Sequence, residues 1–245
     1  MATNELIGRC IDLSALAYAD AGVVEAGIPG FKNFRFIEHE ETDTQALVCN
    51  DDNYRYLAVR GTEVDSLDDI RTNLDLGKTD TMWGRVHSGF YLDALGIRPA
   101  ASRALASLPY LPLSVAGHSQ GAAVGLAFSR MLPFFPAEFV GIGTPRVFGT
   151  ETAQKIGSWY GHRINLVVNN NDPITRVPPR SWGFEHPFDA DIWYLSEDGN
   201  LEKDWGAWAR FLDRVKGRIR DIGEWGTDGL KDHPIKEYQR IWGAL

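Results

Sequence analysis

A chain of 245 residues that is 44% hydrophobic and 24% charged has the make-up of a soluble globular protein and is long enough to bury a core without disulfide staples. Its formal net charge of −8, with no dominating basic cluster, argues against a nucleic-acid partner and leaves transient contact with a lipid surface open. The first residues, Met1-Ala2-Thr3-Asn4-Glu5, lack the basic-then-apolar order of a secretory signal, and no apolar run reaches the roughly eighteen residues of a membrane span. A cytoplasmic protein, or a mature form whose leader has been removed, is therefore expected.

No repeat, low-complexity tract or linker divides the chain, so one domain over residues 1–245 is expected. Residues 4–19 carry apolar side chains at Leu6, Ile7, Cys10, Ile11, Leu13 and Leu16, the spacing of an amphipathic helix. Strand-like runs follow at 34–38, 45–49 and 54–59, the last two joined by the polar turn Asn50-Asp51-Asp52-Asn53. From Leu113 the pattern changes to alternation. Short apolar strands at 113–116, 138–142, 164–168 and 191–195 are interleaved with helices at 122–132 and 150–159. Such alternation implies crossover connections and a mostly parallel sheet covered on both faces, an α/β fold. Cys10 and Cys49 are expected as free, buried thiols.

Between the strand at 113–116 and the helix that follows lies Gly117-His118-Ser119-Gln120-Gly121. A nucleophilic serine belongs at such a place, on a sharp strand-to-helix turn that presents its hydroxyl and aims the helix N-terminus at a developing oxyanion. The flanking glycines let strand and helix approach. Ser119 is the candidate nucleophile, and the backbone N–H of Gln120 a candidate oxyanion donor.

A serine nucleophile needs a base, and the base needs an orienting carboxylate. Asp172 follows the strand at 164–168 and the run Asn169-Asn170-Asn171, at the carboxyl end of a parallel strand where open α/β sheets build their sites. An aspartate before a proline also forms Asx turns, so a purely local role stands beside the catalytic one. Two histidines lie downstream, His186 and His233, and the residues alone leave both open as the base. His118 reads as a packing residue, His87 as a brace near the site, and His39 and His162 as solvated or structural. No metal-ligand spacing and no complete dinucleotide fingerprint is present, so neither metal nor cofactor is expected.

Several segments together resemble the class 3 lipase family of the α/β-hydrolase superfamily. They are Ala58-Val59-Arg60-Gly61-Thr62-Glu63, Val86-His87-Ser88-Gly89-Phe90, Gly143-Thr144-Pro145-Arg146, Asn171-Asp172-Pro173 and the stretch Asp232-His233-Pro234-Ile235-Lys236-Glu237-Tyr238. The resemblance implies an α/β-hydrolase fold with Ser119, Asp172 and His233 as the triad. It also implies that Thr62 gives a backbone N–H and its hydroxyl to the oxyanion hole beside the Gln120 N–H. A weaker likeness to cutinases, whose elbow is similar, keeps His186 as second choice for the base.

In the family the segment after the oxyanion residue carries a lid. Leu67, Ile70 and Leu74 have the helical spacing of a small lid here, although Asp69 stands where the family often has tryptophan. Trp205, Trp208, Leu212, Val215, Ile219 and Ile222 line one side of a basic amphipathic stretch that packs on the body, covers the acyl pocket or lies on lipid. The function implied is hydrolysis of acylglycerols or other lipid esters. Short-chain or aromatic-ester hydrolysis, phospholipase activity, and a non-catalytic binding protein on the same scaffold are the alternatives.

Overall fold

The computed structural model describes residues 2–19, 28–62, 77–169, 172–196, 201–203 and 232–243. The candidate lid residues Leu67, Ile70 and Leu74, and the stretch from Trp205 to Ile222, lie outside the described residues.

Eight strands make the main sheet. They are β1 (Lys32–His39), β2 (Thr44–Asn50), β3 (Arg55–Val59), β6 (Leu113–His118), β7 (Glu138–Ile142), β9 (Ile164–Asn169), β11 (Asp191–Leu195) and β12 (Leu201–Lys203), in the order β1-β2-β3-β6-β7-β9-β11-β12. The pairs β3/β6, β6/β7, β7/β9 and β9/β11 are parallel, and the remaining pairs are antiparallel. Parallel neighbours need crossovers. Those between β3 and β6, β6 and β7, and β7 and β9 contain helices α2 (Ser88–Ala106), α3 (Gln120–Met131) and α4 (Thr150–Tyr160). Helix α1 (Asn4–Leu16) and helix α5 (Ile235–Trp242) pack together on the opposite face.

Strands β2, β3, β6, β7 and β9 are buried on both faces, which is why they read as short continuous runs. Leu47, Cys49, Tyr56, Ala58 and Ala116 join Leu6, Ile7, Ile11 and Tyr238 in one core. Their neighbours Val48, Leu57, Val59 and Val115 join Phe90, Val124 and Phe128 in the other. The period-two alternation of a strand thus sorts consecutive residues into two cores.

The hairpin turn is fixed by one carboxylate. Asp51 Oδ1 accepts the backbone N–H groups of Asn53 and Tyr54 at 2.7 Å each, while Oδ2 accepts from the Tyr56 hydroxyl at 2.7 Å and from Arg9 at 2.9 Å. The same residue therefore bends β2 into β3 and ties the hairpin to α1. Cys10 and Cys49 are free and fully buried. Burial pushes the Cys10 thiol up to about 12 and raises that of Cys49 as well, which leaves both unreactive near neutral pH.

A second, antiparallel sheet was not expected. Strands β4 (Lys78–Thr81), β5 (Gly84–His87), β8 (Phe148–Gly149) and β10 (Phe184–Glu185) pair in the order β10-β8-β5-β4. His87 ends β5 and starts α2: its Nδ1 accepts the Phe90 N–H at 3.5 Å, and its ring stacks on Phe90 at 4.1 Å.

Candidate active site

The turn after β6 holds Ser119 at φ 55° and ψ −131°, a conformation that a side chain seldom adopts. Close approach explains the neighbouring glycines. A Cβ on Gly117 would lie 2.6 Å from the carbonyl carbon and oxygen of Gly121, and one on Gly121 would lie 2.6 Å from the Arg60 carbonyl. The end of β3, the end of β6 and the start of α3 therefore meet at the serine. The Ser119 N–H donates to Ile142 O at 2.9 Å, which clips the turn to β7.

His233 lies just before α5, and its Nε2 is 2.9 Å from Ser119 Oγ. Its Nδ1 is 2.9 Å from Asp172 Oδ2. The carboxylate oxygen can only accept, so Nδ1 carries the hydrogen and Nε2 is left to accept from the serine hydroxyl. Ser119, His233 and Asp172 are 5%, 5% and 0% exposed, so water competes little for these bonds.

Asp172 makes both a local turn bond and a bond to the histidine. Its Oδ1 accepts the Ile174 N–H at 2.9 Å, the local turn expected of an aspartate before proline, and its Oδ2 serves the histidine. The same Oδ2 also accepts the Tyr238 hydroxyl at 2.6 Å, and Tyr238 in turn accepts the Asn169 N–H at 3.2 Å. Burial, and the nearby Asp172, hold the Tyr238 phenol protonated, so it is a fixed donor. Asn169 Nδ2 donates to Asp232 O at 2.8 Å and clips the acid loop to the histidine loop. Gly143 passes alongside at φ 58°, where a Cβ would come within 2.7 Å of Asp172 Oδ2. The Gly143-Thr144-Pro145-Arg146 turn thus needs glycine for two reasons.

His118 is not simply a packing residue. Its ring stacks on His233 with centroids 4.7 Å apart. Its Nε2 bonds His233 O at 2.8 Å, and its Nδ1 bonds the Tyr18 hydroxyl at 2.7 Å. A carbonyl can only accept, so Nε2 carries the hydrogen and Nδ1 accepts from tyrosine. Burial, and the neighbouring His233, push His118 down to about 3, which keeps it neutral. Tyr238 and Asn169 were also missed. Tyr238 closes a visible motif, but its partner at Asp172 becomes evident only in three dimensions.

His186 lies elsewhere. Its Nε2 is 2.8 Å from Thr175 O, and it lines a cavity of about 340 Å³ with Arg146, Arg176, Arg180 and Tyr194. Burial pushes it down to about 4. Arg146 supports the same loop by donating to the carbonyls of Arg176 and Pro178. Among the described residues no group of histidine, cysteine and acidic side chains gathers to hold a metal.

The two depressed histidines carry a pH dependence. Each is neutral when folded and takes up a proton below about pH 6.5 when unfolded. Their contribution is complete above that pH and is lost as the pH falls toward about 3 for His118 and about 4 for His186. The slope has an upper limit of about 1.4 kcal/mol per pH unit for each group. The half-buried His186 gives the smaller share. Urea titrations at pH 7, 6 and 5 should show stability falling, and the slope should flatten in His186→Gln, which keeps a donor for Thr175 O. An unchanged slope in that variant would remove His186 from the explanation.

Thr62, just after β3, donates its hydroxyl to Gln120 Oε1 at 2.9 Å. The hydroxyl proton is therefore committed to a side chain in this state.

The family model for class 3 lipases, Lipase (class 3), matches residues 56–182. The secreted mono- and diacylglycerol lipase MDL3 of Malassezia globosa is 36% identical over 94 residues, which cover 36% of this chain and 30% of that protein. A lipase of Rhizopus niveus is 28% identical over 177 residues, 66% of this chain and 44% of that protein. The chain thus spans less than half the length of these relatives. Among solved structures, lipase II from Rhizopus niveus superposes with a TM-score of 0.67 at 24% identity, covering 84% of this chain and 86% of that one. The Rhizomucor miehei lipase propeptide complex has a TM-score of 0.67 at 20% identity, covering 82% and 71%. These likenesses identify the fold as that of the α/β-hydrolases.

Proposed function

Because the chain belongs to the class 3 lipase family, we propose that it hydrolyses carboxylic esters through an acyl-enzyme, acting from one α/β-hydrolase domain. The observation that carries this reading is the hydrogen-bonded series Ser119–His233–Asp172, two 2.9 Å bonds buried at the tip of a strained elbow. Ser119 Oγ attacks the ester carbonyl carbon while His233 Nε2 takes its proton. The charge on the carbonyl oxygen is met by the backbone N–H groups of Thr62 and Gln120. His233 returns the proton to the leaving alcohol, and water, activated by the same nitrogen, then releases the acid. Asp172 stabilises the imidazolium, and Tyr238 holds Asp172 in place.

Partial acylglycerols, the substrates in the names of the Malassezia relatives, are the first substrates to test, with other lipid esters next. The same names state secretion of those relatives, and no described helix of this chain is long and apolar enough to cross a membrane.

The test is hydrolysis of p-nitrophenyl esters across acyl lengths from acetate to palmitate, with Ser119→Ala as blank, followed by mono- and diacylglycerols. Serine-dependent turnover that peaks at medium or long chains supports the lipid-ester reading. A peak at acetate or butyrate moves the substrate to short esters. Turnover no higher than the blank, with no labelling by a serine-directed phosphonate, would replace this reading with a non-catalytic scaffold.

A further inference from the structure

Gln120 begins α3 next to the nucleophile, and the mechanism above uses only its backbone N–H. Its side chain is equally constrained. Gln120 Nε2 donates to Asp93 Oδ2, on α2, at 3.0 Å. A carboxylate accepts only from the nitrogen end of an amide, so this bond fixes the amide's direction. The oxygen end then faces Thr62 and accepts its hydroxyl at 2.9 Å. Three elements are joined in series: α2, the start of α3 and the loop after β3.

The position of this series gives it meaning. It connects the two residues whose N–H groups receive the oxyanion, residues that are 58 apart in the chain. The Thr62–Gln120 contact borders a polar cavity of about 380 Å³ lined also by Asp43, Gln45 and Arg60. A glutamine free at its far end would exchange this bond with water. Anchored on a charged acceptor, it has already lost that freedom.

We propose that Gln120 and Asp93 are positioning residues for the oxyanion hole. Asp93 orients the Gln120 amide, and the amide holds Thr62 where its N–H meets the developing charge. This rests on the ester-hydrolase reading. Because the oxyanion exists only in the transition state, the effect falls on kcat and not on KM.

The experiment compares Gln120→Leu, Asp93→Leu, Asp93→Asn and the double variant Gln120→Leu/Asp93→Leu on p-nitrophenyl butyrate. Every Gln120 variant keeps the N–H of residue 120. Loosening a donor should cost less than removing one, so both leucine variants should lose about tenfold in kcat with KM within about twofold. Asp93→Asn still offers an oxygen to Gln120 Nε2 and should stay within about threefold of wild type. The double variant should lose no more than the worse single one, because both break one series. If Gln120→Leu fails to fold, the Asp93 pair carries the comparison. Wild-type kcat in both leucine variants, a loss seen in KM instead, equal loss in Asp93→Asn and Asp93→Leu, or multiplicative loss in the double variant would overturn the proposal. Wild-type protein without Ser119-dependent turnover would instead overturn the hydrolase reading on which it rests.

Discussion

His233→Ala is expected to lower kcat on p-nitrophenyl esters by about 10⁴-fold or more, whereas His186→Ala should lose less than about tenfold. The difference follows from position. His233 Nε2 accepts from Ser119 Oγ and its Nδ1 meets a buried carboxylate oxygen, so its removal leaves the serine without a base and Asp172 without its partner. His186 instead spends its Nε2 on the Thr175 carbonyl, three residues after Asp172, and supports the acid loop from behind. Its loss should register mainly as a lower melting temperature. Phosphonate labelling of Ser119 should follow the same order. Comparable losses in the two variants would dismantle the proposed triad, because only one imidazole reaches the serine.

Parts of this arrangement were legible in the chain for definite reasons. The strands from Leu113 onward are short, buried apolar runs that alternate with helices, so their order announces a parallel sheet with crossovers. The elbow is legible because its glycines answer a local steric demand. The second sheet was not, since Lys78-Thr79-Asp80-Thr81 has no apolar alternation and β8 and β10 are two residues each. They pair because α2 and α4 bring them side by side.

The surroundings of the histidine were hidden for another reason. Tyr18 lies just past the end of α1 and His118 at the end of β6, and their 2.7 Å bond joins residues 100 apart. No spacing rule connects them. The fold creates the contact by laying α1 across β6 next to α5, the element that follows His233. The expected helix over residues 4–19 ends at Leu16, and that earlier ending frees Tyr18 to turn toward His118. At Asp172 a turn bond and a histidine bond coexist because a carboxylate has two oxygens and places one on each.

Gly121→Ala should destabilise the protein by about 3 kcal/mol or more and remove most of its activity. Helix propensity alone favours the change, since alanine in place of glycine inside a helix gains up to about 1 kcal/mol. Contact decides against it. The new Cβ would press on the Val59 carbonyl oxygen and lie 2.6 Å from the Arg60 carbonyl, both backbone atoms that no rotamer can move aside. Relief requires shifting the end of β3, where Val59 pairs with Gly117 and the chain runs on to Gly61 and Thr62. The same displacement would carry Thr62 away from Ser119, so stability and kcat should fall together. Gly125→Ala, one turn further along α3, is the control. Its Cβ would meet the Val115 Cγ1 at 3.2 Å and Ala116 O at 3.5 Å, contacts that small side-chain adjustments absorb. That variant should stay within about 1 kcal/mol of wild type in urea unfolding. A Gly121→Ala protein as stable and active as Gly125→Ala would mean that α3 does not bear on the end of β3, and the steric account of the elbow would fail.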